Sequence, residues 1–213
     1  MADARATILE GIRSALRDVA PADIAADYAA IRRTYIRAGQ FDLEARLHLL
    51  KERLRDYDTN VVETHPASLP RTIAEVLRSH SQKNVIAADG LPPEILPSDF
   101  PFISERNASV DTLNACDGIV TVCNVAIAFT GTIVLTHGAG EGARRLTLVP
   151  DRHLCIVRAE QVVETVPEAI DRLAPFATHP LTLISGPSAT ADIEMTRIRG
   201  VHGPRFLDVV LVR

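Results

Sequence analysis

Apolar residues recur at helical spacing three times within the first sixty positions. Ile8, Ile12, Ala15 and Val19 form one stripe that ends before Pro21, and Ile24, Tyr28, Ile31 and Tyr35 form a second that stops at Gly39. Leu43, Leu47, Leu50 and Leu54 form a third, between Asp42 and Asp56. Each fits a 3.6-residue period with one apolar face, so each predicts a helix that needs a surface to dock on. From Asn60 the pattern changes to short β-branched runs. Asn60 to Thr64 reads as a strand, Ser68 to His80 as a helix and Asn84 to Ala88 as a strand, which is a βαβ rhythm. Leu91 to Pro101 holds four prolines and predicts a surface connection. Further strands are expected at Gly118 to Val122, Thr132 to Thr136, Leu154 to Arg158, Leu181 to Ser185 and Phe206 to Val212. A helix is expected from Pro167 to Leu173, starting at Thr165 or Val166.

This alternation predicts an α/β fold, a Rossmann-like, mostly parallel sheet flanked by helices. Residues 1–59 form an N-terminal helical segment packed on a core of residues 60–213. The uncharged run from Gly118 to Gly140 is long enough to cross a bilayer. Its threonines, Asn124 and glycines interrupt it, and it reads instead as two buried strands of a parallel sheet. Met1 to Ala20 carries Asp3, Arg5, Glu10, Arg13 and Arg17 and so lacks the apolar stretch of a signal peptide. A cytoplasmic location is expected.

Composition narrows the function classes. With 213 residues and 46% hydrophobic content the chain can bury a core without disulfides or structural metal. Its formal charge is −4, and acids balance bases over the first sixty residues, so no basic footprint for nucleic acid is present. The three cysteines, Cys116, Cys123 and Cys155, stand in apolar surroundings and read as buried free thiols. They are too few and too far apart for an iron–sulfur cluster, which takes four closely spaced thiolates. No cofactor is expected on this chain.

Three glycine-marked segments follow expected strands, the place where open α/β sheets bind ligands. His137-Gly-Ala-Gly-Glu-Gly-Ala143 matches a dinucleotide fingerprint in form, but Arg144 to Pro150 leaves no room for the helix that the fingerprint requires. A loop is the alternative, with Arg144 and Arg145 available to an anion. The turn around Thr130, Gly131 and Thr132 either satisfies its own backbone or lines a cleft. The third is Ser185-Gly-Pro-Ser-Ala-Thr-Ala-Asp-Ile-Glu194, with Gly200-Val-His-Gly-Pro-Arg205 shortly after it. There Asp192 and His202 are candidates for base and acid. Gly186, Ser188, Thr190, Glu194 and Gly203 are candidate substrate-binding positions, and Arg205 is a candidate carboxylate clamp. Asp192, Glu194 and His202 match no known metal-ligand spacing. Structurally, the same acids and hydroxyls would simply cap a helix.

These segments, with Ala126-Ile-Ala-Phe-Thr-Gly-Thr132 and Leu148-Val-Pro150, resemble the signatures of the lactate-utilization protein C family, the LUD domain. The likeness covers about residues 60 to 213. It implies a fold similar to the sugar-phosphate isomerase and CoA-transferase superfamily. It also implies a role in bacterial oxidation of L-lactate to pyruvate with iron–sulfur partner proteins, this chain binding a small carboxylate or those partners. A homo-oligomer is compatible with it. The family commonly carries an acid before Thr-Gly-Thr, and here Phe129 takes that place. The alternative, allowed by the superfamily, is a self-sufficient enzyme acting on a sugar phosphate or CoA-linked metabolite.

Overall fold

The structure, a computed structural model, describes residues 3–17, 21–190, 198–200 and 202–213. Contacts divide the chain into two units, Met1–Tyr35 and Ile36–Arg213. The first holds helices α1 (Ala4–Ala15) and α2 (Pro21–Ala30). Asp3 caps α1 by accepting from the Arg5 N–H. α2 stops well short of the Gly39 expected from its apolar stripe. Beyond Ala30 the chain leaves the helix, and the Arg33 guanidinium donates to the carbonyls of Tyr28 and Ile31 while lying 4.6 Å from the Tyr28 ring centroid. Carbonyls that another helical turn would have used are satisfied by that side chain.

The second unit begins its regular structure at α3 (Leu43–Asp56), capped by Asp42, and continues through β1 (Asn60–Thr64), α4 (Leu69–Ser79), β2 (Val85–Ala87) and β3 (Phe102–Ser104). After α5 (Val110–Ala115) come β4 (Gly118–Val122), β5 (Val125–Ile127), β6 (Thr132–Leu135), β7 (Arg152–Arg158) and β8 (Val162–Val163). Helix α6 (Val166–Leu173) precedes β9 (Thr182–Ile184), β10 (Ala189–Thr190), β11 (Ile198–Arg199) and β12 (Phe206–Val212).

Six strands form an entirely parallel sheet in the order β1-β12-β7-β4-β2-β3. A second sheet has the order β8-β5-β6-β9, with β6 antiparallel to both neighbours. β10 and β11 form a separate antiparallel pair. The expected βα architecture and parallel sheet are present, but Thr132 to Thr136 is not one of its strands. Too few residues separate Val122 from Thr132 for a parallel crossover, which takes a dozen or more, so the chain turns back on itself and starts a new sheet.

Side-chain alternation builds the layers. Along β12, Val210 and Val212 join α4 residues Leu69, Ile73 and Leu77 on one face of the parallel sheet. Leu207, Val209 and Leu211 point the other way. They meet Leu47, Leu50 and Leu54 of α3 and Ala126, Ile133 and Leu135 of the second sheet. The far face of that sheet, Val125, Ile127, Val134 and Val163, is covered by Ala169 and Leu173 of α6. Helix, sheet, sheet, helix is therefore the order of layers, with α3 packed against the seam between the sheets. Among the described residues no helix is long and apolar enough to cross a membrane.

Candidate functional site

The crevice at the C-terminal ends of β2 and β4 is closed. The glycine loop 138–142 folds over it, with the Gly140 N–H on the Asp89 carbonyl at 2.7 Å and the Val122 N–H on the Gly140 carbonyl at 2.8 Å. Two buried carboxylates tie the loop down. Glu105 accepts from the backbone of Asp89 and Ala143, and Glu141 accepts from the backbone and hydroxyl of Thr136. The segment resembling a nucleotide fingerprint thus serves the fold.

A cleft of about 250 Å³ opens elsewhere, where the C-terminal end of β9 meets the N-terminal ends of β7 and β12. Its wall along β9 is Thr182 to Ser185, continued by the turn Gly186-Pro-Ser188; opposite lie His202, Gly203, Pro204 and Leu207. Arg144 and Thr147 enter from the short 3-10 turn Arg144–Thr147, and His153 of β7 lies in the lining. Two glycine-proline loops meet at Ser188. Its N–H donates to the Pro204 carbonyl at 2.8 Å, its hydroxyl accepts from the His202 N–H at 3.1 Å, and its carbonyl accepts from the Gly200 N–H at 2.9 Å. Gly186 has φ +89°, and a Cβ there would come 2.5 Å from the Tyr57 Cβ, so only glycine lets the turn seat against the end of α3.

Of the residues expected at a site from the sequence, Gly186, Ser188, His202 and Gly203 line this cleft, as does Arg144. Thr130 and Thr132 stand behind the wall. Their hydroxyls are 2.7 Å apart, and Thr132 in turn bonds the Ser185 hydroxyl at 2.8 Å, so they reach the cleft through Ser185. Gly131, at φ +61°, sits against Arg53 of α3. Phe129 is exposed at the same turn. Thr190 pairs with Ile198 in the β10–β11 ladder. Arg205 is held by Asp151 through two bonds of 2.6 and 2.8 Å, and this partner raises its pKa. Asp192 and Glu194 lie outside the described residues.

The sequence reading missed His153, Thr147 and Thr182. A signal for His153 was present: it shares the parity of Cys155 and Val157, the face of β7 turned toward the second sheet. His137 orients Thr182. Its Nδ1 can only donate to the Gly142 carbonyl, at 2.7 Å, so in the neutral ring Nε2 accepts from the Thr182 hydroxyl, also at 2.7 Å.

Behind the cleft, the imidazole of His153 is 1% exposed, and its Nε2 lies 2.8 Å from the Thr121 hydroxyl on β4. That hydroxyl donates to the Cys155 sulfur at 3.7 Å. The Cys155 thiol is held below its ordinary range, first by the neighbouring Cys123 and against burial, with His153 and Thr121 adding to the lowering. Cys123, whose thiol donates to the Gln161 side-chain oxygen at 3.6 Å, is pushed well above the ordinary thiol range. All three cysteines are free and buried. No group of three or more metal-ligating side chains occurs among the described residues.

The lining has one electrostatic character. Arg144, His153 and His202 are its ionisable side chains, and no described lining residue is an aspartate or glutamate. Such a cleft favours an anion.

Comparison with known proteins agrees with this architecture. A crystal structure of a DUF162 family protein from Deinococcus radiodurans superposes with a TM-score of 0.72 at 35% identity, covering 82% of this chain and all of that one. A lactate utilization protein C of Deinococcus radiodurans is 41% identical over 169 residues, 78% of this chain and 79% of its own. That of Macrococcus caseolyticus is 28% identical over 74% of each chain. The LUD domain family matches residues 3–212, nearly the full length. With the two-sheet fold and the glycine-proline loops in place, the chain belongs to the LUD domain family.

Proposed function

We propose that this protein serves lactate utilization as a component of a multi-protein system oxidising L-lactate to pyruvate. It binds a small carboxylate in the β9–β12 cleft, and the iron–sulfur clusters sit on partner proteins. The observation that carries this reading is the lining itself: three cation-capable side chains and no described acid around a space of about 250 Å³. Small-molecule sites for drug-sized ligands start at about 300 Å³, so a three-carbon acid is the better match in size. Kinship to proteins named for lactate utilization supplies the pathway. Arg144 is the natural carboxylate partner, since a guanidinium can release its Thr147 contacts for a charged acceptor.

The test is lactate-dependent reduction of an artificial electron acceptor under anaerobic conditions, with this protein, its iron–sulfur partners, and the complete mixture compared. Turnover confined to the complete mixture is expected. Replacing Arg144→Gln should lower it about tenfold, the scale of one charged hydrogen bond. Equal turnover without this chain would overturn the reading. The same lining also suits a phosphate group, which keeps one rival in view. Thermal stabilisation by sugar phosphates, with none by L-lactate or pyruvate, would identify an enzyme of phosphorylated metabolites instead.

A further inference from the structure

The hydroxyls of the cleft differ in what they offer a ligand. Thr147 turns both of its roles to Arg144, donating to the carbonyl at 3.0 Å and accepting from the guanidinium at 2.5 Å. The Ser188 hydroxyl accepts from the His202 N–H, and no described residue takes its proton. Thr182 is the opposite case. It begins β9, pairs with Leu135 at the end of β6, and is 8% exposed in the wall of the cleft. Just beyond Leu135, His137 takes a left-handed backbone at φ +59°, uncommon for a residue with a side chain. Its Nδ1 meets the Gly142 carbonyl at 2.7 Å, and a carbonyl has no proton to give, so Nδ1 carries the hydrogen. In the neutral ring Nε2 is then a lone pair, and the 2.7 Å contact with Thr182 is made by the threonine's proton. A hydroxyl has only one proton. With it committed, the Thr182 oxygen offers a ligand an acceptor and no donor, and no described side chain or backbone N–H donates to that oxygen.

We propose that Thr182, held by His137, makes the cleft selective for a hydroxy acid over the oxo acid of the same carbon skeleton. A hydroxyl on the ligand donates to the Thr182 oxygen. A keto oxygen brings only lone pairs to the same place and is repelled, and a site built around a ligand hydroxyl discriminates against an analogue that cannot supply its proton. Arg144 and the uncommitted proton of Ser188 suit the carboxylate, so the donors and the acceptor of the lining match two ends of one small molecule. Thr182 is the specificity-determining contact. His137 lies outside the lining and is a positioning residue that acts through Thr182. This inference rests on the carboxylate-binding reading of the cleft and adds which acid, reduced or oxidised, it holds.

Nitrogen-15 NMR of histidine-labelled protein reads the tautomer without any ligand. At pH 8, above the ordinary imidazole range, His137 should be neutral with its proton on Nδ1. A proton on Nε2, or on both nitrogens, overturns the arrangement whether or not anything binds. Calorimetric titration at the same pH then compares L-lactate with pyruvate. The wild type should bind L-lactate about tenfold more tightly. Thr182→Val, close in shape, should lose lactate affinity and bring the ratio near one, whereas Thr182→Ser, which keeps the hydroxyl, should keep the preference. His137→Asn tolerates the left-handed backbone but is too short to reach Thr182, so the released proton should raise pyruvate affinity and narrow the ratio. Three variants are used so that a folding defect in one does not decide the result, and circular dichroism confirms the fold of each. A ratio that stays at the wild-type value while both affinities fall assigns the pair a structural role and overturns the proposal. Equal binding of the two acids by the wild type also overturns it but leaves the carboxylate reading standing, whereas binding of neither acid overturns both.

Discussion

Asp208 shows what a single buried charge requires. Its side chain is 1% exposed on β12, and it accepts from Asn60 at 2.8 Å and from Arg152 at 2.8 Å, with His80 Nε2 at 3.2 Å. Arg152 in turn lies 4.4 Å from the ring centroid of Phe206. Removing the acid leaves Arg152 largely buried and unpaired, so Asp208→Ala should cost roughly 3–5 kcal/mol in urea denaturation. Asp208→Asn, which keeps the shape and part of the hydrogen bonding, should cost less. Gly186 is a second residue whose replacement has a stated cause. At φ +89° and against Tyr57, Gly186→Ala incurs both a left-handed penalty of about 1–2 kcal/mol and a steric push on α3. The expected outcome is a lowered thermal midpoint together with weakened anion binding, because the same turn forms the cleft wall. Cys155 adds a pH signature. A thiol whose folded pKa is depressed contributes stability that is fully present above its unfolded value and is lost as pH falls through the folded one, so this contribution should shrink as pH is lowered from the ordinary thiol range. Cys155→Ser should flatten this slope of stability against pH.

At the scale of elements, end chemistry decides where structure starts and stops. α6 opens with a capping box in which the Thr165 hydroxyl accepts from the Glu168 N–H while the Glu168 carboxylate accepts from the Thr165 N–H at 2.8 Å and the Glu164 N–H at 3.1 Å. Burial pushes the Glu168 carboxyl up, but the backbone bonds from Thr165 and Gly39 with the Thr165 hydroxyl outweigh it and hold it below 4.5. Glu168→Ala should therefore cost about 1 kcal/mol near neutral pH. A carboxyl depressed in the folded state stabilises above its unfolded pKa and loses that contribution as pH falls through the folded value. The gap between wild type and variant should accordingly close below pH 4.5, which urea midpoints at pH 7 and pH 3 would show. The glycine loop 138–142 makes the complementary point. The Gly140 N–H is taken by the Asp89 carbonyl and the Gly140 carbonyl by the Val122 N–H, while Glu141 and Glu105 anchor the loop through Thr136 and Ala143, so these groups hold the loop to the fold.

For the molecule as a whole, the two sheets share one seam, and α3 covers it. Leu50, completely buried, contacts a cluster that contains both Ile133 of the second sheet and Val209 of the first. Leu50→Ala should cost about 2–5 kcal/mol and shift a single unfolding transition. Two separate transitions would show that the sheets are independent. The same seam explains the position of the cleft. The C-terminal ends of β2 and β4 are closed by the glycine loop, whereas the second sheet ends beside the N-terminal ends of β7 and β12, where the gap is left.

The amino-acid sequence alone determined the elements whose causes are local. Helix α3, strand β12 and the start of α6 follow from apolar spacing, β-branched runs and capping residues, and all lie within a residue or two of expectation. Sequence also carried the family, because Gly186-Pro-Ser188 and Gly203-Pro204 are read as strings. Half of the cleft was legible for the same reason, since glycines that permit tight turns announce themselves. Strands β6 and β9 were legible from their apolar runs, but β5 and β8, with three and two residues, are too short for any period to show, and that the four form a second sheet was not legible. His153 was hidden because its meaning depends on Thr121 and Cys155, which only pairing of β4 with β7 brings opposite one another. Arg205 reads as free for a ligand until the fold sets Asp151 beside it. Local preference is written residue by residue, but a partner distant along the chain exists only once strand order is settled, and strand order is a property of the whole packing.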